Sequence, residues 1–148
     1  MNKTVLIIED EELDCALLQR AIRSTEISCR CIEARDGAEA CQVILEEGRS
    51  IDLVLLDLHL PKMSGFDVLK HVRSHAPTRD VPVVVLSTSD EFADMQRAYA
   101  LGANSYVQKC FDMEAHCSKV KILLCYWFAV NSRVPQGVGF LPSAFVTL

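Results

Sequence analysis

The chain has 148 residues, 50% hydrophobic and 24% charged, the length and make-up of one globular domain around a single core. Its formal charge of −5, with basic residues scattered rather than clustered, excludes the footprint of a protein that binds a nucleic-acid backbone. The opening apolar run is closed by acidic residues after a few positions, too soon for a signal peptide or a membrane span, so no membrane association and a cytoplasmic location are expected.

The first element, "TVLIIE" at 4 to 9, reads as a strand. Behind the acidic residues that follow it, Leu13, Leu17, Leu18, Ala21 and Ile22 form the apolar stripe of a first helix. "SCRCIEA" at 28 to 34 is the second strand, and Asp36 with Glu39 forms an N-cap and capping-box pair opening a helix to about Glu47. "IDLVLLD" at 51 to 57 is the third strand, with Phe66, Leu69 and Val72 marking a third helix after Gly65. "VPVVVLS" at 81 to 87 is the fourth strand, followed by a helix on Phe92, Met95, Ala98 and Leu101 that stops at Gly102. "NSYVQK" at 104 to 109 is the fifth strand, and residues 112 to about 131 make a fifth helix capped by Asp112.

Strands alternating with helix-length segments predict βαβ units and a parallel sheet. The first, third and fourth runs are nearly continuous Val, Leu and Ile, the composition of strands covered on both faces, so they belong at its centre. Residues 1–131 therefore read as one domain. Residues 132–148 hold two prolines, two glycines and no acidic residue, and read as a C-terminal tail, either irregular or an arm that packs on a surface or meets a partner.

Seven cysteines at irregular spacings suit small buried hydrophobes better than disulfide partners. Cys29 and Cys31 alternate on one strand face without a second pair at zinc-site spacing, and His71 and His75, one helical turn apart, offer only two ligands.

In an open parallel sheet the functional crevice lies beyond the carboxyl ends of the strands. The first strand ends at Glu9 and Asp10, the third at Asp57, the fourth at Ser87 and Thr88, and the fifth at Lys109. If the first and third strands are neighbours, three carboxylates converge, and two like charges about 4 Å apart repel by roughly 4 kcal/mol at a surface-like dielectric. A hard divalent ion such as Mg²⁺, which prefers oxygen ligands and phosphate oxygens, fits such a cluster. A carboxylate flanked by a cation, a hydroxyl and an ammonium can act as a nucleophile on a phosphoryl group. Each residue also has a plain structural explanation: acids suit the start of a helix, and a lysine can simply end a strand.

Together "LIIEDEE", "LVLLDLHLPKMSGFDVL", "VPVVVLSTS" and "LGANSYVQK" make residues 3 to about 130 resemble the receiver domain of two-component response regulators. "STS", "GANSY" and the late "YW" are similar to single-domain regulators paired with phytochrome-type sensor kinases. The resemblance implies a CheY-like, flavodoxin-like fold: a doubly wound five-stranded parallel sheet in the order 2-1-3-4-5 with helices on both faces. It implies that Asp57 accepts a phosphoryl group from a histidine kinase, and that Glu9, Asp10, Asp57 and the His59 carbonyl serve Mg²⁺. It implies further that Lys109 binds the phosphate, that Ser87 and Tyr106 are the switch pair, and that the molecule is a phosphoacceptor rather than an enzyme, with its own autophosphorylation and autodephosphorylation chemistry. The readout face would be the fourth helix, fifth strand and fifth helix. Phe92, Tyr99 and the run "ILLCYWFAV" at 122 to 130 give that face more apolar surface than one core-facing helix needs, which favours a homodimer, or cover by the tail.

Two residues depart from the family pattern. Cys110 stands where proline usually follows the lysine, so the Lys109–Cys110 bond is expected to be trans with a shifted loop, or else held cis under strain. Thr88 stands where a smaller residue is frequent. These keep open an alternative, a receiver-like interaction module that works without phosphorylation. A metal-dependent phosphohydrolase would want a carboxylate at His59, and a flavodoxin-type electron carrier would want a phosphate loop in place of "EDEE".

Overall fold

The computed structural model describes residues 2–133. Five strands, β1 (Lys3–Ile8), β2 (Cys29–Ala34), β3 (Leu53–Leu56), β4 (Val83–Ser87) and β5 (Ser105–Gln108), pair in parallel in the order β2-β1-β3-β4-β5. The helices α1 (Glu12–Arg23), α2 (Gly37–Glu47), α3 (Gly65–Ser74), α4 (Phe92–Ala100) and α5 (Met113–Cys125) connect or follow them. This is the doubly wound flavodoxin-like arrangement expected from the sequence.

The continuous apolar runs of the central strands are explained by two cores. Leu6 and Ile8 of β1, Val54 and Leu56 of β3, and Val83 and Val85 of β4 face Ala40 and Ile44 of α2, Val68, Leu69 and Val72 of α3, and Ala98 of α4. Their alternate neighbours Val5, Ile7, Leu53, Leu55, Val84 and Leu86 face Leu18, Ala21 and Ile22 of α1 and Val120 and Leu124 of α5. A one-residue slip would exchange the two sets, so packing fixes the register. The register in turn sets the strand ends side by side.

Several local expectations are amended. Leu13 is 64% exposed, because the buried face of α1 runs through Cys15, Leu18 and Ile22 and Leu13 lies to one side of it. Phe92 is 75% exposed, and only Ala98 of α4 is fully buried. Asp36 accepts from the Glu39 backbone N–H at 2.8 Å, but Glu39 reaches back to the N–H of Arg35 rather than to that of Asp36. Asp112 caps α5 through the backbone N–H groups of Glu114 and Ala115, and the helix becomes a π-helical turn over Tyr126–Val130. Ile122 of α5 and Tyr126 and Val130 of that turn are exposed, while Trp127 and Phe128 pack against the core on the α1/α5 side. Arg133 donates to the Asp52 carbonyl at 2.9 Å. Of the tail, residues 134–148 lie outside the described residues.

Candidate functional site

Parallel pairing brings the loop after β1 beside the loop after β3. The Asp57 backbone N–H donates to the Ile8 carbonyl at 2.9 Å, and Glu9 and Asp57 are both buried. The carboxylate oxygens of Glu9, Asp10 and Asp57 lie within 4.8 Å of one another. Among the described residues this is the one such convergence of three or more metal-binding side-chain types; the cysteines and histidines form none. All seven cysteines are free thiols, and burial pushes Cys15 and Cys29 each up to about 11, which suits packing rather than reactivity.

Lys109 enters from β5 on the far side of β4. Its backbone N–H donates to the Ser87 carbonyl at 2.8 Å, and its Nζ reaches Glu9 Oε2 at 2.5 Å, Asp14 Oδ2 at 2.9 Å and Asp57 Oδ2 at 3.5 Å. Burial alone would lower the Lys109 pKa, but the Glu9 hydrogen bond, the Asp57 and Glu9 charges and the Asp14 hydrogen bond outweigh it and hold the ammonium charged. Burial, together with repulsion from Asp57, pushes Glu9 up to about 7 against the pull of Lys109. Around the one ammonium stand the carboxylates of Glu9, Asp14 and Asp57, more negative charge than it offsets. The donor set is all oxygen, so the cluster fits a hard divalent cation.

Gly65 lets α3 close on this site, since a Cβ there would lie 2.4 Å from the Asp57 carbonyl oxygen. The His59 backbone N–H donates to Asp57 Oδ1 at 3.2 Å, while its imidazole is exposed. Ser87 is fully buried, with its Oγ accepting from the Ser89 N–H at 3.1 Å. Tyr106 packs its ring against the α2–α4 core and donates its hydroxyl to the Ser89 carbonyl at 3.0 Å; its backbone N–H donates to the Tyr99 hydroxyl. The Lys109–Cys110 bond is trans, and Lys109 nevertheless reaches Glu9, Asp14 and Asp57.

The sequence reading brought together Glu9, Asp10, Asp57 and Lys109, as the structure does, and missed Asp14. Spacing carried no signal for it: α1 begins only at Glu12, after extended backbone at Glu11, so Asp14 is not one helical turn from Asp10. His116 was also missed. It is 3% exposed on α5 with no partner for Nδ1 among the described residues, and burial followed by the Lys109 charge lowers its pKa.

No helix among the described residues is long and apolar enough to cross a membrane. Residues 5–121 match the family model for the response regulator receiver domain. The response regulator Rcp1 of Synechocystis is 31% identical over 130 residues, covering 84% of this chain and 88% of Rcp1. The probable methanogenesis regulatory protein FilR2 of Methanothrix harundinacea is 37% identical over 131 residues, covering 86% and 84%. Among solved structures, the phosphorylated cyanobacterial phytochrome response regulator RcpA aligns with a TM-score of 0.84 at 32% identity over 89% of this chain and 98% of RcpA. The Mn²⁺-bound form of Rcp1 aligns with a TM-score of 0.81 at 30% identity over 88% and 97%. The acidic pocket, the lysine opposite it and these likenesses agree, and the chain belongs to the receiver-domain response regulators of two-component systems.

Proposed function

We propose that this protein is a single-domain response regulator that takes a phosphoryl group from a histidine kinase onto Asp57. The observation that carries the reading is the approach of Lys109 Nζ to 3.5 Å from Asp57 Oδ2, inside a pocket whose three clustered carboxylates are under-neutralised. Single-domain action is supported by the match to nearly the whole length of RcpA. A phytochrome-type kinase as partner is supported only by the name of that relative. A cytoplasmic location suits a chain whose described helices do not span a membrane.

Glu9, Asp10, Asp57 and the His59 carbonyl would hold Mg²⁺. When bound, the ion supplies positive charge toward the phosphoryl oxygens. An Asp57 oxygen attacks phosphorus while the bond from phosphorus to the kinase histidine nitrogen breaks; that nitrogen keeps the electron pair and takes up a proton. Lys109 meets the charge on the transferred oxygens. The same carboxylate takes phosphoryl groups from small acyl phosphates and loses them to water, so the molecule is a phosphoacceptor rather than an enzyme. Ser87 turns its hydroxyl from the Ser89 N–H toward the new group, and Tyr106 gives up the Ser89 carbonyl to rotate inward. The phosphorylated arrangement is favoured only through such differential contacts.

The readout is a homodimer through α4, β5 and α5. Phe92, Tyr99, Ile122, Tyr126 and Val130 leave this face apolar and open. The test is beryllofluoride, a phosphoryl mimic, with Mg²⁺: it should change Trp127 or Tyr106 fluorescence and raise the mass measured by light scattering toward a dimer. No fluorescence change would support the phosphorylation-independent interaction module instead, and a strictly monomeric mass would remove the dimer.

A further inference from the structure

Lys109 is surrounded by three carboxylates, and an ammonium has three N–H donors to give them. The three acceptors are not alike. Glu9 and Asp57 belong to the cluster whose oxygens converge within 4.8 Å, where the proposed function sets a divalent cation. Asp14 lies outside that cluster, in the first turn of α1, with 31% of its side chain exposed. Its hydrogen bond to Lys109, at 2.9 Å, is much shorter than the 3.5 Å approach to Asp57.

The difference matters once a cation is bound. A carboxylate oxygen shared with a divalent ion attracts an ammonium far less, because the ion's charge sits against the same atoms. The pull that Glu9 and Asp57 exert on Lys109 then falls, and like-charge repulsion from the ion is added. Asp14 keeps its full charge. It is mounted on a helix held by Cys15, Leu18, Ala21 and Ile22 in the core, so its position does not depend on the loops around the site. The loop after Lys109 starts with Cys110 in a trans bond, and proline's restriction of the backbone is missing there.

We infer that Asp14 is a positioning residue: it is the counter-ion that keeps the Lys109 ammonium beside Asp57 while a divalent cation shares Glu9 and Asp57. This rests on the phosphoacceptor reading, and it adds a fourth acid with a separate task. Without Asp14, Lys109 must place its donors on Glu9 and Asp57, where it competes with the cation. With the cation bound, it has no anionic anchor on the α1 side.

The test is a cycle of four full-length proteins: wild type, Asp14→Asn, Lys109→Met and the double variant, with Asp14→Glu as a rescue. Two quantities are read. The first is the initial rate of labelling by acetyl phosphate at saturating Mg²⁺; the second is Mg²⁺ affinity by calorimetry with no phosphodonor. In the Lys109 background, Asp14→Asn should lower the saturated labelling rate about tenfold and weaken Mg²⁺ binding about threefold, and Asp14→Glu should recover most of both. In the Lys109→Met background the same change should leave the labelling rate unaltered and weaken Mg²⁺ binding less than it does when Lys109 is present. Equal losses in both backgrounds, or a saturated rate unchanged by Asp14→Asn, would overturn the positioning role and leave Asp14 a bystander charge. If the wild type takes no label at all, the phosphoacceptor reading fails. The calorimetric cycle still reports whether Asp14 keeps Lys109 off the cation site.

Discussion

Lys109 Nζ stands 3.5 Å from Asp57 Oδ2, although the two residues end strands that are not neighbours: β3 and β5 are separated by β4. The contact exists because parallel strands in register finish at one edge of the sheet. The lysine side chain crosses the end of β4, where Ser87 lies buried. The site is therefore a product of topology as much as of its residues.

A first consequence concerns Gly65. With the Asp57 carbonyl oxygen 2.4 Å and Leu58 Cα 2.6 Å from where a Cβ would sit, Gly65→Ala must push α3 off the end of β3. We expect a loss of about 1–3 kcal/mol in urea unfolding, as for overpacked sites, with a fall in Mg²⁺ affinity because Asp57 moves with its carbonyl. A variant of wild-type stability and affinity would show that the loop absorbs the methyl group.

His116 sets a pH dependence. Its folded pKa is lowered, by burial first and then by Lys109, with Asp14 opposing and Lys119 adding to the effect. The unfolded chain therefore takes up a proton near the ordinary value of 6.5 while the folded protein does not. Stability contributed at this position is present above that pH and is lost as the pH falls below it. His116→Leu should flatten the slope of thermal stability between about pH 6.5 and the lower folded value. An unchanged slope would assign the acid sensitivity to other groups.

The tyrosine pair predicts a change in dynamics. Tyr106 ties β5 to the Ser89 carbonyl, and the Tyr99 hydroxyl accepts from the Tyr106 backbone N–H, so α4 and the loop before it are both fastened to the edge strand. Tyr106→Phe removes one such bond, worth about 1 kcal/mol. Hydrogen exchange should quicken in residues 88–91 with little change in β1 or β3. Uniform quickening throughout would mean general destabilisation rather than a released latch.

How much of this was legible in the sequence varies by residue. Runs such as "VVVLS" declare buried strands because both faces are covered; Glu9, Asp10 and Asp57 were readable because they terminate such runs, and Lys109 because it ends the strand "SYVQ". Asp14 was not, since its partner lies 95 positions away and the pairing depends on how α1 rests against the end of β5. Leu13 looked like part of a core stripe because it lies one helical turn before Leu17, yet the buried face of α1 runs through Cys15, Leu18 and Ile22. The π-helical turn at Tyr126–Val130 left no signal in a run that is apolar throughout, so which of its side chains turn inward became apparent only in three dimensions.

The most direct measurement is transfer of phosphate to Asp57 itself. Wild type and Asp57→Asn are incubated with acetyl phosphate, with and without Mg²⁺, and the site of labelling is located by mass spectrometry of the digested protein. The account predicts one phosphoryl group, on Asp57, formed only with Mg²⁺ and lost entirely in Asp57→Asn. Label on another residue, or label of equal extent in the variant, would contradict it.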